Sequence, residues 1–326
     1  MDTIRWGVLG TGVMARSMTE ALQARSDAAV VAVASRDLAR ATQFAGMLGI
    51  REAYGTYDDL ARADGVDALY VATTNDRHLE ATVRGLEAGT PVLCEKPLGM
   101  NGAEVERMVT ASRRKGVLLM EAMWMRFQPF LTKVEQLIAS GAIGQVRHVQ
   151  ADFCIGLPYA ADNRWFAPEL GGGSLLDLGI YPMTLAYHLL GPPEASEAVA
   201  QLAPTGVDAQ IGVTSRHPDG ALSVLTSSLV TDGAWEATVA GTAGRLRIHS
   251  PFHHSPLVTH HRGGEQVARY DTSYEVSGLQ FEIDEFHACL VDGRAESARH
   301  PLDDTIAIAE WMTELRRQCS IRYPGE

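Results

Sequence analysis

Residues Ile4-Arg5-Trp6-Gly7-Val8-Leu9 run into Gly10-Thr11-Gly12-Val13-Met14-Ala15, an apolar stretch leading straight into a glycine turn. The first six read as a strand, and a helical pattern follows over Met14–Arg25. In this setting Gly-x-Gly-x-x-Ala matches a dinucleotide-binding turn, with the pyrophosphate on a helix N-terminus. Gly10 allows the tight turn, and Gly12 leaves room for phosphate to approach backbone N–H groups. Ala15 lets helix and strand pack closely. Thr11, Val13 and Met14 complete the candidate cofactor turn. The bland alternative is a tight strand–helix turn that holds no ligand.

Outward from that turn the chain alternates. Val30–Ala34, Ala68–Ala72, Val92–Cys94 and Val117–Met120 read as further strands; Leu38–Leu48, His78–Ala88 and Ala103–Lys115 read as helices. Gly89 and Gly116 stand where helix C-caps belong. This alternation predicts an α/β fold, a doubly wound parallel Rossmann sheet. It ends near Glu121–Pro129, so we expect an NADP-binding domain over 1–122. The remainder, 123–326, is expected to be an α+β substrate-binding and dimerisation domain. Its open sheet is mainly antiparallel: Val146–Phe153, Gln210–Ser215, Leu222–Leu229, Glu236–Ala240 and Leu246–Ile248 alternate as strands with one packed face. Phe130–Ser140, Leu175–Leu190, Phe281–Leu290 and Thr305–Cys319 read as helices.

The 326 residues carry a formal charge of −12, which offers no electrostatic footprint for nucleic acid or an anionic membrane. No apolar run is long enough to span a bilayer, and no basic segment precedes an early apolar run, so neither a membrane span nor a signal peptide is expected. Four cysteines without Cys-x-x-Cys spacing read as reduced thiols in a cytoplasmic protein. The histidine pairs 253/254 and 260/261 lack an accompanying carboxylate pattern, and no metal is expected.

Candidate chemistry sits at the carboxyl ends of the parallel strands, where ligand crevices form. After the second strand comes Ser35-Arg36-Asp37. A hydroxyl followed by a guanidinium suits a ribose 2′-phosphate, favouring NADP over NAD. The alternative is a solvated Arg36, with Asp37 merely capping the next helix. Thr73, Thr74, Asn75 and His78 follow the third strand, although Asn75 also reads as a cap and His78 as a packed side chain. Glu95-Lys96-Pro97 follows the fourth, setting Lys96 near a bound nicotinamide. Arg164-Trp165-Phe166 precedes Gly171-Gly172-Gly173 and is a candidate pocket lining; a plain surface loop fits equally well.

The glycine turn, Glu95-Lys96-Pro97 and Gly171-Gly172-Gly173-Ser174-Leu175-Leu176-Asp177-Leu178-Gly179-Ile180-Tyr181 together resemble the Gfo/Idh/MocA oxidoreductases, in order over nearly the whole chain. Glu121-Ala122-Met123-Trp124-Met125-Arg126-Phe127 and Asp177–Pro182 are most similar to the dimeric dihydrodiol dehydrogenase and NADP-dependent D-xylose dehydrogenase branch. The resemblance implies that Lys96 orients substrate and tunes the proton donor, that Asp177 lines the substrate pocket, and that Tyr181 is the acid/base. Many relatives carry His at the Tyr181 place. The resemblance also implies Trp124 and Arg126 close to the cofactor, and a homodimer or higher homo-oligomer.

The chemistry of these residue types agrees. Hydride transfer at C–OH needs a proton moved at the oxygen. A free tyrosine, with a pKa of about 10, is too weakly acidic to serve as a base at neutral pH, and a nearby ammonium favours its phenolate. On a helix, Asp177 and Tyr181 share a face. The expected function is hydride transfer between NADP(H) and a CH–OH or hemiacetal carbon of a monosaccharide-like aldose or polyol, or of a cyclic dihydrodiol. A non-catalytic NADP-binding sensor or regulatory protein is the alternative, and a reductase of imines or tetrapyrroles a third reading.

Overall fold

The computed structural model describes residues 3–326. The first unit is built from β1 (Ile4–Leu9), α1 (Val13–Gln23), β2 (Ala28–Ala34), α2 (Leu38–Leu48), β3 (Glu52–Tyr54), α3 (Tyr57–Ala61), β4 (Ala68–Val71), α4 (His78–Ala88), β5 (Val92–Glu95), α5 (Gly102–Lys115) and β6 (Leu119–Ala122). Its sheet has the order β3-β2-β1-β4-β5-β6, every pair parallel. That order reverses between β1 and β4, the switch point where a crevice opens beyond the strand ends. Strands β4, β5 and β6 are buried at every position, as a sheet covered on both faces requires.

The second unit carries α6 (Pro129–Ala139), β7 (Val146–Cys154), α7 (Ile180–Leu190), β8 (Ala195–Leu202), β9 (Asp208–Arg216), β10 (Leu222–Ser228), β11 (Ala237–Gly241), β12 (Gly244–Ile248), β13 (Leu257–Arg262) and β14 (Glu265–Asp271). These strands form one sheet, β14-β13-β12-β11-β7-β10-β9-β8, antiparallel except for β7 with β10. Two late helices follow, α8 (Gln280–Val291) and α9 (Leu302–Gln318).

The two compact units do not follow a single cut of the chain. Residues up to Trp124 group with Val276–Ile306, and Met125–Glu275 with Ala307–Glu326. The sequence pattern places all residues after 122 in one domain. Residues 276–306 instead complete the first core. Trp6 of β1 is fully buried, its ring 4.9 Å from Phe286, and its indole N–H points at His287 Nε2. The Leu119 amide donates to Ala295 O.

Several elements escaped the sequence reading. β3 is three residues long at a sheet edge. β8, Ala-Ser-Glu-Ala-Val-Ala-Gln-Leu, is an edge strand with few β-branched residues. β13 and β14, a stretch whose sequence reads only as hairpin-like, are a true hairpin, turned by Gly263-Gly264 with φ of +54° and +91°, the pairing a two-residue turn demands. Residues 175–190 are not one α-helix. Leu175–Gly179 is a π-helical turn that leads into α7. Pro182 explains it: without an N–H it cannot bond back into the preceding turn, and its ring excludes the carbonyl four residues earlier.

Candidate functional site

In the first unit the glycine turn lies at the switch point. Gly10 has φ +119°, and a Cβ there would lie 2.3 Å from the Ala72 carbonyl oxygen. Glycine is obligatory for the β1 end to pass the Ala72-Thr73 backbone. Gly12 differs: a Cβ there would meet nothing within 4 Å. Gly12 also stands at the N-cap of α1 and offers no side-chain hydrogen bond to the helix. Val13 is 81% exposed and Met14 is exposed beside it, while Ala15 is buried against the sheet. Uncapped N–H groups, open space and exposed apolar side chains fit a dinucleotide pyrophosphate.

At the end of β2 the Ser35 side chain is buried and Arg36 exposed. Asp37 caps α2, accepting from the amides of Ala39 and Arg40, so its carboxylate is already committed. Arg36, Thr56, Tyr57, Arg77 and Arg84 line a cleft of about 270 Å³. Arg77 pairs with Asp76 at 2.9 Å, and Arg84 with Glu80 at 2.7 Å and with Asp58. Arg36 has no carboxylate partner among the described residues, nor has Arg40 one turn on. Burial raises the Tyr57 pKa, and the charges of Arg36, Arg77 and Arg40 oppose that rise. Arg40 is a further cation near Tyr57 that the sequence pattern does not single out.

The Lys96 turn is braced from below. His78, at the start of α4, is fully buried, with Nδ1 2.9 Å from Pro97 O and Nε2 3.3 Å from Thr73 O. Burial lowers its pKa, the two carbonyls oppose that fall, and the ring lies between the Thr73 loop and the Lys96-Pro97 turn. Its position suits a brace, with no exposed surface to offer a cofactor. Thr73 and Thr74 are half-exposed, and Asn75 is buried at the head of a short 3₁₀ turn. Glu121 adds a second brace: Oε1 accepts from the Leu98 amide at 2.9 Å, and Oε2 meets His300 Nε2 at 2.8 Å and the Thr305 hydroxyl at 3.2 Å. Glu95 is buried and accepts from the Tyr70 hydroxyl. Lys96 itself is half-buried.

In the second unit Asp177 lies in the π-helical turn and Tyr181 in the first turn of α7, both buried. Arg164 is half-exposed and pairs with Asp177 at 2.9 Å while its guanidinium lies 4.1 Å over the Trp165 ring. Phe166 is fully buried against Tyr159, so it belongs to the core and not to a pocket wall. Tyr181 meets Phe153 edge-on at 5.5 Å and His253 at 5.1 Å, and His253 stacks on Phe153 at 4.5 Å. Trp235 joins this wall at 5.2 Å from Phe153. Its φ of +56°, rare for a bulky residue, is held by its amide hydrogen bond to Asp152 Oδ2 and its indole bond to Cys154 O. The wall was illegible in sequence because it gathers single residues from β7, α7 and two loops. Arg126 is buried and 3.9 Å from Glu135, which also takes His188 at 2.6 Å; Trp124 is half-exposed at the head of the same 3₁₀ turn.

Glycines 171–173 do not form a ligand loop. A Cβ at Gly172 would lie 2.8 Å from the carbonyl oxygens of Arg164 and Trp165, and one at Gly173 would lie 2.5 Å from Asp208 Oδ1. The glycines let the backbone run against protein. Among the described residues no cluster of metal-ligating side chains occurs, and no helix is long and apolar enough to cross a membrane.

Fold and turn chemistry define an oxidoreductase built on an NAD-binding Rossmann domain, and the family model of that description matches residues 4–123. The GFO/IDH/MocA C-terminal domain model matches 131–247, and the chain belongs to the GFO/IDH/MocA oxidoreductase family. It is similar to trans-1,2-dihydrobenzene-1,2-diol dehydrogenases, with 36% identity to that of Mus musculus and 33% to that of Homo sapiens, each comparison covering 99% of both chains. Among solved structures it resembles a 3-ketoreductase from Actinomadura kijaniata in complex with NADP and TDP-benzene (TM-score 0.87, 28% identity, 98% of each chain). An aldose-aldose oxidoreductase from Caulobacter crescentus complexed with glycerol is similar too (TM-score 0.88, 25% identity, 98% of each chain).

Proposed function

We propose that the protein is an NADP-dependent dehydrogenase or reductase. Its substrate is a secondary alcohol or hemiacetal of a cyclic dihydrodiol or a monosaccharide-like compound. The observation that carries this reading is Tyr181 beside a wall of Phe153, His253 and Trp235, with the Arg164–Asp177 ion pair in the same unit. Aromatic faces suit the flat apolar side of a ring, and a charged pair suits its hydroxyls. The relatives' names, dihydrodiol dehydrogenase and aldose oxidoreductase, point the same way.

A bound nicotinamide cofactor supplies the hydride donor or acceptor. Gly10, Thr11 and Gly12 would hold its pyrophosphate, Ala15 packing the helix behind them, and Ser35 and Arg36 its 2′-phosphate, with Arg40 beside them. Tyr181 moves the proton at the substrate oxygen, and Asp177 orients the neighbouring hydroxyls. Lys96 is assigned to hydrogen-bonding the substrate. Trp124 and Arg126 are assigned to the cofactor's surroundings. The N-terminal region is thus a cofactor domain and the second a substrate domain.

A homodimer is part of the same proposal. On the solvent face of the second sheet, Val199, Leu222 and Val224 are exposed in adjacent rows, an apolar surface that a twofold partner would cover. Light scattering on purified protein tests it, and a monomer at all concentrations refutes it. Four unpaired cysteines favour a reducing compartment such as the cytoplasm.

The test follows NADPH absorbance with trans-1,2-dihydrobenzene-1,2-diol, D-xylose and D-glucose as substrates. We expect turnover with NADP that falls by about two orders of magnitude or more in Tyr181→Phe, with NADPH affinity kept. Near-normal turnover in that variant refutes the assignment of Tyr181. Tight NADP binding with no turnover on any compound favours a sensor.

A further inference from the structure

Asp177 and Tyr181 are displayed from a segment that holds itself poorly. Leu175–Gly179 is a single π-helical turn, followed by Pro182, which has no N–H to donate to the preceding turn. The orphan donors at the start of such a segment need an external acceptor if the segment is to keep one orientation. One carboxylate supplies it. Asp208, the first residue of β9, is fully buried, and its Oδ2 accepts both the Ser174 hydroxyl and the Leu175 amide at 2.6 Å.

Ser227 of β10 completes the hold. Its hydroxyl lies 3.0 Å from Ser174 Oγ, and a Cβ on Gly179 would come within 2.9 Å of the same oxygen. One side chain thus touches both ends of the π-helical turn. Residues of α9 and the segment after it complete the cluster. The Tyr323 hydroxyl donates to Gly172 O, Arg316 of α9 stacks over the Tyr323 ring at 4.6 Å, and Arg316 pairs with Glu326 through both carboxylate oxygens at 2.8 and 3.0 Å.

We infer that Asp208, acting through Ser174 and Leu175 with Ser227 as backstop, is a positioning residue that fixes the orientation of the turn presenting Asp177 and Tyr181. This rests on the proposed roles of those two residues. Asp208 touches no reacting atom; it sets where the reacting groups stand. Charge-assisted bonds of this length are the strong class, and a displacement of about 1 Å at a reacting group is enough to cost about a hundredfold in rate. Desolvation opposes the carboxylate, the Ser174 and Leu175 bonds and the Arg316 charge favour it, and the result is a pKa raised to about 6. A buried carboxylate kept at that cost, where a neutral side chain would pack more cheaply, points to a role in placing what it binds.

The experiment compares Asp208→Ala, Asp208→Asn and Ser174→Ala with the parent and with Tyr181→Phe. Asn keeps one acceptor oxygen without charge. We expect kcat to fall about thirtyfold or more in Asp208→Ala and less than tenfold in Asp208→Asn and Ser174→Ala, with NADPH affinity unchanged and KM within about threefold. Hydrogen exchange of amides 175–183 is expected to quicken in the same order. Asp208→Ala with kcat within twofold of the parent, beside an inactive Tyr181→Phe, overturns the positioning role and leaves the catalytic assignment standing. An active Tyr181→Phe overturns that assignment instead, and unchanged exchange over 175–183 then overturns the clamp itself. If Asp208→Ala does not fold, the two milder variants carry the test, and unaltered kcat with unaltered exchange in both overturns it.

Discussion

Two glycine runs lead into helices in this chain, and they serve opposite ends. At Gly12 an added Cβ would enter open space, and α1 begins without a side-chain cap. At Gly173 an added Cβ would strike Asp208, and the segment that follows is capped by that same carboxylate. The first run leaves a helix N-terminus open. The second allows the protein to fill an N-terminus with its own acid. Sequence alone does not tell the two apart. The distinction lies in what occupies the volume a side chain would take.

The comparison breaks most readily at Gly173. Its φ of +116° disfavours any L side chain, and the nearest atoms, Asp208 Oδ1 and the Tyr323 hydroxyl, belong to buried side chains. Backbone strain of about 1–3 kcal/mol and overpacking of about 1–3 kcal/mol together give an expected loss of about 2–6 kcal/mol for Gly173→Ala. Chemical denaturation of the apoprotein measures it. A variant as stable as the parent would show that Asp208 yields freely, and the second glycine run would lose its explanation.

The capping acid itself sharpens the contrast through pH. Asp208 is pushed up from 3.8 to about 6, chiefly by burial. The folded protein therefore holds the proton more tightly than the unfolded chain does. Its contribution is least unfavourable below pH 4, and stability is lost as pH rises towards 6, by an upper limit of about 3 kcal/mol. Measured as the difference from Asp208→Asn, parent stability should decline across that window and then level off. A difference that stays flat from pH 4 to 7 would mean the group is not desolvated as its burial requires.

Much of the first unit was legible in sequence because its signals are local. A strand–glycine–helix order, β-branched runs and helix-ending glycines each fall within a dozen residues, and β1, α1, β5 and α4 follow from them. Lys96 was legible as a strand-end lysine, though its braces were not: His78 lies 18 residues before it, and Glu121, itself held by His300, reaches the same turn from 25 residues beyond it. The second unit hides more. Asp208 is 33 residues from the amide it caps, and reads in sequence as an ordinary loop acid before a strand. The π-helical turn was masked by an apolar pattern that suits an α-helix equally well, although Pro182 was a visible warning. Hydrogen-bond partners brought together by β-sheet register leave no periodic trace.

The cleft lined by Arg36 is expected to discriminate by charge. Arg36 lacks a carboxylate partner among the described residues, whereas Arg77 and Arg84 beside it are paired. Removing one charge-assisted bond to a 2′-phosphate costs about 1.5–3 kcal/mol, so Arg36→Leu should lower the preference for NADP over NAD by roughly tenfold to a hundredfold. Dissociation constants of both cofactors, titrated by fluorescence, decide it. Equal losses for the two would assign Arg36 to the adenine or to general attraction and remove the argument for NADP.

The smallest effect on the fold belongs to Gly12, and it is the most informative counterpart to Gly173. Its backbone, φ −82° and ψ −172°, is one that alanine adopts freely. A gain of about 0.4–1 kcal/mol from a stiffer unfolded chain opposes a comparable loss from a poorer N-cap. Gly12→Ala is therefore expected to leave apoprotein stability within about 1 kcal/mol of the parent. NADPH affinity should nonetheless fall about tenfold or more, equivalent to about 1.4 kcal/mol, because the methyl group takes the space through which phosphate meets the α1 amides. Unfolding and binding measured on the same preparation separate the two. If the variant binds NADPH as well as the parent, the open volume at Gly12 is not where the cofactor lies. If it unfolds early instead, both glycine runs are structural, and the difference between them disappears.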